Sequence, residues 1–189
     1  MLMLHLYDSG DNFMRRRGYA AEYCAEYLDG YWDPAGCRAR ANTIYTPFAS
    51  FQDIEAELRR IGGLGGKVDV LLIHSHGAPG MIFVRTGVLS MQPCIDAANV
   101  HLLAQVCRLA LPANGRVFFA GCNVGYGPKG EAFLRAAGKH MLGHGGGVML
   151  AVTSVTFSVP GFLGQRIPAW GSVRAAKVSP GGTVAISEI

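Results

Sequence analysis

The chain has 189 residues, 50% of them hydrophobic and 16% charged, enough to bury a sizeable core in one domain spanning residues 1–189. Its net charge of +4 and pI near 8.9 are mildly basic, and apart from Arg15-Arg16-Arg17 no basic run concentrates that charge, so no nucleic-acid partner is expected. Charged or glycine-rich stretches interrupt each apolar run short of the ~20 residues that span a bilayer, which argues against a membrane partner.

The opening Met1-Leu2-Met3-Leu4-His5-Leu6 has no basic start and no small-residue cleavage site, so it reads as a first strand, Leu2 to Tyr7, and not as a signal peptide. Five cysteines with no C-x-x-C pair favour a reducing compartment over a disulfide framework. A cytoplasmic location, or export without a signal, is expected.

Further strands are predicted at Asn42 to Tyr45, Val68 to His74, Arg116 to Ala120 and Gly147 to Thr153, alternating with helices at Arg16 to Leu28, Ser50 to Ile61, Ile95 to Leu111 and Gly130 to Met141. Ser50-Phe51-Gln52-Asp53 has the form of a helix start, and Arg59-Arg60 before Gly62-Gly63 that of a helix end. Tyr31 to Arg40 and Thr156 to Gly171 lack periodicity and read as surface loops. Ser172 to Val178 and Thr183 to Ser187, joined through Ser179-Pro180-Gly181-Gly182, read as a β-hairpin extending the sheet edge. The alternation predicts an α/β chain: a three-layer αβα sandwich with a mainly parallel sheet and a C-terminal β-hairpin.

Two predicted strands end on reactive side chains. Val68 to His74 empties into Ser75-His76-Gly77-Ala78-Pro79-Gly80, and Arg116 to Ala120 into Gly121-Cys122-Asn123-Val124. Parallel neighbours finish at one edge of their sheet, where open α/β sheets carry their sites. An imidazole beside a thiol favours the thiolate and can later protonate a leaving amine, so His76 and Cys122 form a minimal set for acyl transfer. The N–H groups of Gly77 and Cys122 are candidate oxyanion donors.

Other readings of these residues compete. Cys122 could be an inert core cysteine. His74 and His76 form an H-x-H pair, but Gly77-Ala78-Pro79 follows where metallohydrolases continue with Asp-His, so neither a metal nor a cofactor is expected. His140 and His144, four apart where glycines end the helix, read as surface residues. Gly62 to Lys67 lacks the first glycine and the Ser/Thr of a phosphate loop, and branched Val124 departs from a nucleophile elbow.

The order of an apolar strand, Ser-His-Gly-x-x-Gly, a second apolar strand and Gly-Cys resembles the catalytic core of the caspase-like cysteine peptidases of clan CD. It is most similar to caspase-like domains of large bacterial surface proteins, on Ser75 to Gly80 and Gly121 to Val124. The resemblance implies a cysteine endopeptidase that hydrolyses peptide bonds through a thioester, with His76 as acid/base, Cys122 as nucleophile and Gly77 at the oxyanion site. In that family the substrate pocket draws on the loops after the first strand and after the strand following the cysteine. This makes Asp8, Asp11, Arg15 and Ser154 candidate substrate contacts, together with Ser75 and Asn123 beside the dyad. The loop's mixed charges leave the preferred side chain open. A polypeptide substrate is implied; the alternative is an inactive caspase-like domain that binds a protein partner.

Overall fold

The computed structural model describes residues 2–10, 43–84, 93–154, 157–160, 166–169 and 173–188. The predicted helix Arg16 to Leu28 and loop Tyr31 to Arg40 lie outside them, as do Asp11 and Arg15.

A seven-stranded sheet forms the centre. Five strands run parallel: β1 (Met3–Asp8), β2 (Thr43–Phe48), β3 (Val70–His74), β7 (Gly115–Ala120) and β8 (Gly147–Val152). The C-terminal hairpin, β11 (Val173–Val178) and β12 (Val184–Glu188), adds two antiparallel strands through β8, giving the order β12-β11-β8-β7-β3-β1-β2. The hairpin is where the sequence predicts it. Strand β2 outruns its predicted Asn42–Tyr45 span and includes Pro47, which a sheet edge tolerates because one side of the strand has no ladder to feed.

Helix α1 (Phe51–Gly63) joins β2 to β3, α2 (Ala104–Ala110) joins β3 to β7, and α3 (Gly127–Ala137) joins β7 to β8. All three connections step across the sheet in one direction, so crossovers of one hand lay their helices on one face. Their buried residues, among them Ile54, Leu58, Val106 and Phe133, share a core with Leu4, Leu6, Ile73, Val117 and Phe119 from alternate strand positions. The other set of alternate positions, including Met3, Leu72, Phe118 and Leu150, is buried on the opposite face, where no helix lies among the described residues. A sheet buried on both faces is what the middle layer of a three-layer sandwich requires. Among the described residues no helix is long and apolar enough to cross a membrane.

Two predicted segments are corrected. The helix expected over Ile95 to Leu111 begins late: Cys94–Asp96 is strand β6, Val100–Leu103 is a 3₁₀ turn, and only Ala104–Ala110 is α-helical. Asp96 Oδ1 accepts from the Ala98 and Asn99 N–H groups at 2.8 and 3.2 Å, while Asn99 Oδ1 accepts from Asp96 N–H at 3.0 Å. These side chains satisfy the backbone without a helix, and Leu102 and Leu109, both within the predicted span, are 55% and 40% exposed. The span Thr156 to Gly171 is not wholly loop, because β9 (Phe157–Pro160) and β10 (Arg166–Ala169) pair antiparallel within it.

Helix α3 continues into a π turn at Gly138–Leu142, so its helical path reaches the predicted end near Met141. A Cβ on Gly138 would sit 2.9 Å from Val178 and 3.0 Å from Val184, so this turn packs directly on the C-terminal hairpin.

Candidate active site

Strands β3 and β7 pair in parallel with His74 opposite Ala120. His76 and Cys122 each lie two residues past that last pair, so the register sends both to one edge at equal depth. The loops that carry them touch backbone to backbone. A Cβ on Gly77 would stand 2.5 Å from Val124 Cγ2 and 3.0 Å from the Cys122 carbonyl oxygen, and one on Gly121 would stand 3.1 Å from the Ser75 carbonyl oxygen. Two glycines, one per loop, permit that approach.

Beyond His76 the chain turns back as a small sheet of β4 (Gly77–Ala78), β5 (Met81–Phe83) and β6. Pro79-Gly80 makes the first bend, with Gly80 at φ +81, the value required at the third position of a type II turn. The Gly80 N–H donates to the Val124 carbonyl at 3.0 Å and ties this bend to the cysteine loop. Phe83 N–H donates to the His76 carbonyl at 2.9 Å, making 76 and 83 a hydrogen-bonded pair. Such pairs alternate along an antiparallel ladder, so the Gly77 N–H points away from β5.

The cysteine loop is held from the β8 side as well. Asn123 N–H donates to the Ser154 carbonyl at 3.0 Å and Gly125 N–H to the Val152 carbonyl at 2.8 Å. Asn123 is left-handed, φ +59, a conformation asparagine tolerates better than most residues. It therefore shapes the turn after Cys122, and Ser154 contributes an anchoring carbonyl.

His76 is exposed and Cys122 is half-buried. Cys107 is the contrast: fully buried in the helix-side core, its thiol is pushed up to about 12 by burial. Burial, and then the neighbouring Asp96, also raise the thiol pKa of half-buried Cys94.

Asp8 and Ser75, expected as substrate contacts, are corrected: both are fully buried. Ser75 Oγ donates to Asp8 Oδ2 at 3.1 Å, and Gly10 N–H donates to Asp8 Oδ1 at 2.9 Å. The chain steps from β1 outward to β2 and returns to β3 on β1's other side, so the switch point of this sheet lies between β1 and β3. The Asp8–Ser75 pair fills it. His76 and Cys122 lie one strand further along.

His74 Nδ1 is withdrawn from solvent with no hydrogen-bond partner among the described residues, and the ring stacks on His5 with centroids 5.5 Å apart. Burial, then His5 and His76, push the His74 pKa down to about 3, so the ring is neutral. Sequence reading missed this ring pair, although His5 breaks an otherwise apolar run at a position that must face the sheet packing. Among the described residues no three His, Cys, Asp or Glu side chains gather as metal ligands. Neither family models nor curated proteins give a match to this chain.

Proposed function

We propose that the chain is a caspase-like cysteine endopeptidase acting through His76 and Cys122. The Cys122 thiolate attacks the carbonyl carbon of a peptide bond, and the oxyanion takes hydrogen bonds from the N–H groups of Gly77 and Cys122. The C–N bond then breaks, with His76 giving the leaving amine its proton. Water, deprotonated by His76, attacks the thioester, releases the acid and returns the thiol.

The observation that supports this reading is the register of β3 on β7, with two loops in backbone contact past their ends, one exposing an imidazole and the other a half-buried thiol. The orientation of the Gly77 N–H away from β5 is compatible with the oxyanion role.

The test is incubation with peptide acyloxymethyl ketones carrying Asp, Arg, Lys or Leu at the first position, followed by mass mapping of any adduct. Labelling at Cys122 is expected, absent in Cys122→Ala and slowed about 10²-fold or more in His76→Ala, in line with the loss of a general acid/base. No adduct on folded protein with any of the four would overturn the peptidase reading in favour of a silent protein-binding domain.

A further inference from the structure

We infer that Asp8 and Ser75 are positioning residues for His76, a buried clamp that ties the histidine loop to the end of β1 and so fixes its approach to Cys122. The inference rests on the dyad reading above.

Three contacts on consecutive residues carry it. Tyr7 and His74 are the last paired positions of β1 and β3, and one step on the side chains of Asp8 and Ser75 bond to each other at 3.1 Å. The Ser75 carbonyl abuts Gly121, whose hypothetical Cβ would stand 3.1 Å from it, immediately before the cysteine. The next carbonyl, that of His76, accepts from Phe83 N–H. The His76 backbone is thus held on both sides.

Asp8 makes this clamp stiff. A carboxylate with no exposure has lost its water, so each hydrogen bond it accepts replaces hydration that it cannot regain. Its other oxygen holds Gly10 N–H at 2.9 Å, so one side chain couples the chain leaving β1 to the histidine loop. Removing the Ser75 hydroxyl would leave one oxygen short of a donor and let the loop drift from Gly121. A strand end needed only for packing would be served by two apolar side chains.

The test uses the full chain and the rate of Cys122 carboxamidomethylation by iodoacetamide against pH, read by peptide mass, with Cys94 as internal reference. Ser75→Ala is expected to shift the Cys122 rate at pH 7 downward about tenfold. Cys94 should not change. Ser75→Thr, which keeps the hydroxyl, should restore the wild-type profile. The isosteric Asp8→Asn guards against misfolding and should show the same shift in smaller degree; the double variant should be no worse than Ser75→Ala.

A wild-type profile in folded Ser75→Ala overturns the clamp, as does an equal change at Cys94, which would mean general loosening. If His76→Ala leaves the Cys122 rates unchanged across the pH range, the dyad fails instead. The clamp then stands on amide hydrogen exchange at His76 and Gly77, which Ser75→Ala should speed at least tenfold; unchanged exchange rejects it.

Discussion

The seam between β1 and β3 buries polar groups on both of its faces, and the two faces do so differently. On the helix-covered face, in step with Leu4, Leu6 and Ile73, stand Asp8 and Ser75. On the opposite face stand His5, Tyr7 and His74, with the His5 ring 6.0 Å from Tyr7 and 5.5 Å from His74. Asp8 is accommodated by hydrogen bonds to both of its oxygens. His74 is accommodated by surrendering its charge, since a neutral imidazole costs far less to bury than an imidazolium. One face thus depends on a partner being present, and the other on a proton being absent.

Acid should break the histidine face with the largest effect. The unfolded chain takes up a proton on residue 74 near pH 6.5, while the folded chain refuses it until about 3. This contribution to stability is therefore full above pH 6.5 and is lost as the pH falls toward 3, at up to ~1.4 kcal/mol per pH unit. Urea unfolding at pH 7.5, 6, 5 and 4 should show that slope in the wild type and a flatter one in His74→Phe; parallel curves would reject a neutral buried ring.

Ser75→Ala probes the other face and should cost about 1–3 kcal/mol at pH 7.5, the range for a buried group deprived of its hydrogen bond. In contrast to the acid effect, this loss should be present at the pH where His74 is content. Gly77→Ala touches no polar side chain, yet its new methyl would meet Val124 at 2.5 Å. A cost of about 1–2 kcal/mol from overpacking, with ketone labelling of Cys122 falling by an order of magnitude or more, would separate steric from polar contributions to the loop contact. Arg59→Ala sets the baseline: its bond to Glu55 at 2.6 Å joins exposed neighbours on α1, and unfolding should shift by less than ~0.5 kcal/mol.

Much of the sheet was legible because its strands are continuous apolar runs. Val70 to His74 and Gly115 to Ala120 carry few competing signals, and their ends coincide with the glycine-bearing motifs that locate His76 and Cys122. Helix α1 was legible from its caps: Ser50 Oγ does accept from Asp53 N–H, at 3.2 Å. What failed was chemistry that acts through side chains on the backbone. Asp96 and Asn99 displace the start of the helix predicted from Ile95, and a period count has no means of weighing an Asx turn against it.

The roles of Asp8 and Ser75 were obscured for a different reason. A polar residue at the mouth of a strand reads as a ligand contact, and only the register of β1 on β3 reveals that the two face each other away from solvent. The ring pair of His5 and His74 was hidden likewise, since its members lie far apart in sequence and meet through strand pairing alone.

The loop that bears Cys122 takes two of its anchors, the carbonyls of Val152 and Ser154, from roughly thirty residues further down the chain. During synthesis the sulfur therefore emerges from the ribosome well before the strand that immobilises its turn. A polypeptide that has reached residue 130 holds both imidazole and thiol but lacks the two carbonyls that hold the cysteine loop from the β8 side.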